Sequence, residues 1–315
     1  LVVTPIKRSS DRFFAGSPKM MMPSWIQEAC LDDSAFSLAY DLVSAPHRAL
    51  IKTALARQDA LHPAVTCRTW RRWRELDADV ALIESKQPVD AALVIFDQQT
   101  SCAGLAAALM PVLNAGVPEV LALYAGEQDQ EVPAALLTTL ELAGQERVAV
   151  LPPERIRRFT AELCRSSDSC AILILGETTS CLDASCEAAS GCRIWRASPV
   201  KRAAVYLSGH GRDVNLEALA FAWPATDFGV AGVVEAALPS HRFRLVGKEL
   251  GDLPAGREMI CFAPDCNVEA LLPRYAGVFG PGHEACMVWP DLNFERFFVR
   301  RTAWRSITPS ETEEL

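Results

Sequence analysis

The sequence predicts an α/β protein of two Rossmann-like lobes with parallel sheets, preceded by a small helical N-terminal module. Three observations predict it. Short β-rich runs alternate with helical runs through the middle of the chain, at intervals of roughly 25 residues, the pattern of βα units. The 315 residues exceed one small core and suit two lobes at ~100–200 residues per domain. Half of them are hydrophobic and 22% are charged, the balance of a packed chain rather than a disordered one.

Residues 1–72 read as an arm and a helical module. The first 20 or so show no clear period. Over 23–61, Trp25, Ile26, Cys30, Phe36, Leu38, Ala39, Leu42, Leu50, Ile51 and Leu55 recur at helical spacing, with Asp33 and Ser44 as candidate N-caps. Residues 73–180 read as the first lobe, with strands expected over 91–97, 119–125, 147–151 and 171–176. Helices are expected over 105–113, 133–142 and 154–163, and Pro111 is placed to kink the first of them. A Cys- and Ser-rich stretch, 181–200, reads as a linker. Residues 201–315 form a second, shortened lobe, with strands over 203–208, 230–234 and 259–262 and an aromatic packing face from Phe294 to Trp304.

Composition excludes some functions. With a formal charge of -8 and one short basic run, Arg68, Arg71, Arg72 and Arg74, the chain offers no broad basic face, so no nucleic acid partner is expected. No apolar stretch reaches the ~20 residues that span a bilayer and the N-terminus shows no signal-peptide pattern, so the expected location is cytoplasmic, without a membrane partner. Eleven cysteines at irregular positions suit reduced thiols better than a secreted disulfide framework.

Three stretches, in order and at compatible spacing, resemble histidinol dehydrogenase. The first runs from Trp73 through Pro88-Val89-Asp90 to Asp97 and on through LMPVLNAGVPEVLALYAG and PAALLTTLELAGQERVAVL. The second is NLEALAFAWPATDF, read as a helix over 215–228, similar to the family helix that ends Gln-Ala-Glu-His-Asp. In the third, FAPDCNVEALL is similar to Tyr-Ala-Pro-Glu-His-Leu-Glu, GPGH to Gly-Pro-Asn-His, and PDLNFERFFVRRT to the segment that follows it. The resemblance implies oxidation of L-histidinol to L-histidine by two hydride transfers to NAD, with a zinc ion and a Glu-His pair, in a domain-swapped homodimer.

The matching positions depart from that implication. The family's Glu-His pair activates water and moves protons; here it reads Asp265-Cys266. The shorter Asp stem displaces the carboxylate by about one bond, and ~1 Å of misplacement can cost on the order of 10²-fold. A thiol replaces imidazole poorly unless its pKa is depressed. The structural alternative is a capping Asp and a packed Cys at a helix start. His283 matches a family histidine that binds the substrate's imidazole, with a turn histidine satisfied by backbone carbonyls as the alternative.

The family's zinc-binding Gln and His fall on Trp223 and Thr226, and its Asp ligand on Ala276. The remaining family histidine has no counterpart up to Leu315. Indole and methyl groups do not coordinate Zn²⁺, so no metal is expected there. Positions that would hold NAD, were the family activity retained, are Asp97, Ser101, Glu154, Gly176 and Thr179. The family's glycine turns become Asp97-Gln98, Leu151-Pro152-Pro153-Glu154 and Gly176-Glu177-Thr178-Thr179. Prolines and carboxylates where a backbone should approach pyrophosphate argue against NAD.

Two weaker signals complete the reading. Cys170, Cys181, Cys186 and Cys192 form the densest thiol group, at spacings that match no standard zinc pattern, so inert loop thiols are expected, with a metal or redox site as the alternative. Ser208-Gly209-His210-Gly211 follows a strand, as anion-holding turns do. The sequence therefore points to a divergent histidinol dehydrogenase-like protein without cofactor, acting as a binding or regulatory scaffold. Its expected partner is a small polar ligand in the cleft or another protein, and its expected assembly the family's homodimer. The alternative is an NAD-dependent oxidoreductase using Asp265, Cys266 and His283.

Overall fold

A computed structural model describes residues 23–64, 69–75, 80–127, 130–177, 181–182, 184–197, 199–209, 213–234 and 237–306. Helices α1 (Ser24–Gln27), α2 (Asp33–Leu42) and α3 (Ala45–Leu61) form the N-terminal module. Asp32, one residue earlier than expected, caps α2 by accepting from Ala35 N at 3.1 Å. Ser44 caps α3 by accepting from His47 N at 3.4 Å.

Strands β1 (Thr69–Glu75) and β2 (Val80–Pro88) follow as an antiparallel pair. The first lobe then winds through β3 (Ala91–Phe96), α4 (Cys102–Asn114), β4 (Glu119–Ala125), α5 (Ala134–Leu142), β5 (Val148–Leu151), α6 (Pro153–Ser166), β6 (Cys170–Ile174), α7 (Ala184–Ala188) and β7 (Cys192–Arg196). Its sheet is parallel, in the order β5-β4-β3-β6-β7. The second lobe runs through β8 (Arg202–Leu207), α8 (Leu216–Ala222), β9 (Asp227–Gly232), β10 (Phe243–Gly247), β11 (Gly256–Phe262), α9 (Val268–Leu271) and β12 (Tyr275–Phe279). This sheet is also parallel, ordered β10-β9-β8-β11-β12. The final strand β13 (Phe298–Ser306) returns to pair with β2, giving the small sheet β1-β2-β13.

The two parallel sheets share one winding. In each, the first strand is central, the next two strands add on one side and the last two on the other. A parallel sheet covered by helices must be apolar on both faces, and β3 obeys this with six consecutive buried residues. Helix α4 begins at Cys102, earlier than expected, and continues through Pro111.

Three expectations change. Part of the stretch read as a linker, Cys192–Arg196, is the edge strand of the first sheet. The segment around Trp73 lies in the separate antiparallel sheet. The helix expected over 215–228 ends at Ala222, because Pro224 disfavours helical backbone at Trp223, and β9 starts at Asp227.

Helix α3 ties the lobes together. Arg57 Nη1 donates to Gly282 O at 2.6 Å in the second lobe, and His47 stacks on Phe221 of α8 at 3.9 Å. On the first lobe, Asn114 Nδ2 of α4 donates to Asp59 Oδ1 at 2.9 Å and to His62 O at 2.7 Å. Among the described residues no helix is long and apolar enough to cross a membrane.

Leu93, 1% exposed at the centre of β3, sets a test of the core: Leu93→Ala should destabilise the chain by about 2–5 kcal/mol in urea denaturation. A second test concerns the small sheet. Glu295 accepts from Lys86 Nζ of β2 at 2.7 Å and from Arg300 Nη2 of β13 at 2.9 Å. The Lys86 hydrogen bond, aided by Arg300, holds its carboxyl below the usual range against a counteracting effect of burial. The contribution is therefore present above the unfolded value of ~4.3 and is lost as pH falls through the lowered folded value. The carboxylate is partly exposed, so the effect is on the order of a few tenths of a kcal/mol. The difference in melting temperature between wild type and Glu295→Gln should be present near neutral pH and vanish in strong acid.

Candidate functional site

In a doubly wound sheet the connections from the central strand leave in opposite directions, opening a crevice at the carboxyl ends where ligands bind. In the first sheet this crevice lies between β3 and β6. Asp97, directly after β3, is buried there. Its Oδ1 accepts from Gln99 N at 2.9 Å and from Thr100 Oγ1 at 3.2 Å, and its Oδ2 accepts from Glu177 N at 2.9 Å. Gly176 stands against it with φ of 81°, and a Cβ there would lie 2.2 Å from Asp97 Oδ1. The backbone amides of Gln99 and Glu177 at this crevice are thus taken by the chain's own carboxylate. Its charge is felt nearby: burial first, and then Asp97, pushes the Tyr124 phenol up.

The N-terminus of α4, the other place where an anion would dock, is also occupied. Ser101 caps it by accepting from Gly104 N at 2.9 Å. The Trp289 indole lies across Gly104 and donates from Nε1 to Gly104 O at 3.1 Å. Between the lobes there remains a cavity of about 40 Å³, lined among others by Thr100, Ser101, Gly176, Lys201, Thr226 and Trp289. A single water needs roughly 10–15 Å³ of such volume, so the cavity has room for a few waters. Lys201 at its rim pairs with Glu177 Oε1 at 2.5 Å.

The second sheet repeats the device. After its central strand β8, the Asp213 carboxylate accepts from Ser208 N, Ser208 Oγ and Gly209 N, each at 3.0 Å. His210 and Gly211 of that turn lie outside the described residues.

The positions expected from sequence separate into two groups. Ser101 and Gly176 line the cavity, with Asp97 directly behind Gly176. Asp265, Cys266 and His283 belong to the turns after β11 and β12 and do not line it. Asp265 is the first residue of a one-turn 3-10 helix rather than its cap, and its Oδ1 packs against Gly280, whose added Cβ would lie 2.1 Å away. Cys266 is exposed, with Sγ 3.3 Å from Asn267 Oδ1. His283 is half-buried, with Nδ1 3.4 Å from Pro281 O. Glu154 is exposed in the first turn of α6, and Thr179 lies outside the described residues.

The residues at the family's zinc positions have other partners. Trp223, buried, donates from Nε1 to Glu284 O at 2.7 Å. Thr226 Oγ1 donates to Val200 O at 2.7 Å, and Ala276 is an apolar residue of β12. This donor set does not fit zinc. At the first-lobe crevice the amides of Gln99 and Glu177 already hold a carboxylate, which opposes a dinucleotide's pyrophosphate there.

Several residues that shape the site carry no motif. Trp289 and Lys201 are visible only once the lobes are assembled. Glu284 is buried and accepts on Oε1 from Asn215 N at 3.0 Å and Gly282 N at 3.1 Å, fixing the turn that carries His283.

No family model matches the sequence, and no curated protein matches it. Solved structures do. Among them are enzymes with dehydrogenase-type α/β folds, and that is the class this fold defines. Histidinol dehydrogenase from Elizabethkingia anophelis superposes over 98% of this chain and 88% of that chain, at 11% sequence identity and a TM-score of 0.52. Aldehyde dehydrogenase from Bacillus cereus does so over 94% and 87%, at 9% identity and a TM-score of 0.47. The former likeness, one of fold alone at this identity, gives the chain the histidinol dehydrogenase-like architecture.

Asp97→Ala should leave the amides of Gln99 and Glu177 without their acceptor in a largely buried position, costing about 1–3 kcal/mol. Chemical denaturation reads this directly. Asp97→Asn, which keeps one accepting oxygen, should lose less.

Proposed function

We propose that the chain is a histidinol dehydrogenase-like scaffold that binds a partner without NAD chemistry or zinc-dependent histidinol oxidation. The observation that carries this reading is the Asp97 carboxylate, hydrogen-bonded to the two loops that border the first-lobe crevice. A pyrophosphate placed there would face a buried negative charge and would have to displace it from its donors. The zinc positions support the same reading, because Trp223 and Thr226 are committed to backbone acceptors.

The partner is a small polar ligand in the interlobe cavity, which Thr100, Ser101, Lys201 and Thr226 line, or another protein. A second copy of the chain is one such partner, as the family's homodimer implies. The competing reading, an NAD-dependent oxidoreductase, would require Asp265, Cys266 and His283 to meet a cofactor bound away from the crevice they do not line.

Calorimetric titration of the purified chain with NAD, and separately with histidinol, tests the proposal. The expected result is no saturable heat with NAD and no histidinol-dependent reduction of NAD. Saturable NAD binding accompanied by turnover overturns the proposal in favour of the oxidoreductase, and Cys266→Ala and His283→Ala would then each be expected to lose turnover.

A further inference from the structure

At the amino ends of β6 and β7, on the far side of the first sheet from the crevice, four cysteines come together. Cys170 and Cys192 are direct partners in the parallel register, so their side chains leave the same face of the sheet. Over that face passes the last turn of α6, which carries Cys164, and the three Sγ atoms lie within 4.8 Å of one another. Cys164 Sγ and Cys192 Sγ are 3.1 Å apart. Cys186, on α7, is buried and reaches hydrogen-bonding contact with Cys164. Cys181 is not part of the group. It is buried elsewhere in the same apolar cluster, and burial, then the Asp97 charge, pushes its thiol up to about 11.

We propose that Cys164, Cys170, Cys186 and Cys192 form a tetrathiolate site for a structural zinc ion. Four sulfurs around one Zn²⁺ at ~2.3 Å stand roughly 3.8 Å apart, within the spread of the three Sγ atoms. The sequence encodes the set as two C-x5-C pairs separated by 15 residues. One pair spans the α6–β6 turn and the other the α7–β7 turn.

The elements that the site would join also need such a link. Helix α7 has five residues, far below the ~12–15 at which isolated helices become even marginal. Strand β7 is an edge strand with one fully buried residue. Each coordinating thiol that is still protonated gives its proton to solvent on binding, so affinity rises with pH.

The test is metal analysis of the full chain purified under reducing conditions, followed by titration with Zn²⁺ and, separately, Co²⁺. The expected result is one zinc per chain and, with one Co²⁺, thiolate-to-metal charge-transfer bands with the visible spectrum of a tetrahedral site. Zinc should protect these four thiols from alkylation, as mapped by mass spectrometry, while Cys266 stays reactive. Cys170→Ser and Cys192→Ser should weaken zinc binding by more than the ~10–100-fold typical of losing an outer-shell partner. Cys181→Ser, outside the group, should keep full stoichiometry and controls for general damage to the fold. Failure of the reduced wild-type chain to hold zinc or give the cobalt spectrum overturns the proposal. So does an iron–sulfur chromophore in its place, or a Cys164–Cys192 disulfide that persists in the presence of zinc.

Discussion

A half-buried amide at the carboxyl end of a parallel strand needs an acceptor, and here the acceptor is a carboxylate of the chain itself. Asp97 meets this need between β3 and β6, and Asp213 meets it after β8. Much else at the interlobe cleft follows. With those amides satisfied from within, the N-terminus of α4 packs against Trp289 beside a cavity of about 40 Å³, and Gly176 has to remain glycine.

The closure is reinforced from outside. Helix α3 reaches α4 on one side and the Gly282 turn on the other, while the stacked His47 and Phe221 rings pin it to α8. Arg193 of β7 donates to the carbonyls of Arg296 and Phe298, so the edge of the first sheet is also tied to the C-terminal segment. Opening the cleft would therefore require breaking contacts on several elements together, the behaviour of a bistable interface rather than a soft hinge.

Much of the fold was legible in the sequence, for local reasons. The run 119–125 is bounded by turn residues and forms β4 as read, and Ser44 caps a helix whose first turn holds Pro46. What escaped depends on distant partners. Strand β7 hides in a Cys- and Ser-rich composition because its apolar cover comes from another element, and β2 passes from an apolar half, 80–83, to a polar one, 84–87, so its extent shows only once both neighbouring strands are in place. At the site, the substitutions at Trp223, Thr226 and Asp97 could be read one by one, but not that Asp97 turns inward to serve two loops. Cys164 escaped because it belongs to a helix end, six positions before Cys170, while the eye follows the denser run after it.

The small sheet β1-β2-β13 carries a consequence for biosynthesis. Strand β2 takes its second neighbour from a segment made about two hundred residues later, since Pro88 pairs with Phe298. At ~5–20 residues per second, that leaves an edge of β2 without its partner for on the order of 10–40 s after it leaves the ribosome. During that interval the nascent chain exposes a strand edge able to pair with other chains. Yield in the cell should then depend on translation speed through the stretch of message between β2 and β13 and on chaperones that shield such edges, even where the finished protein is stable.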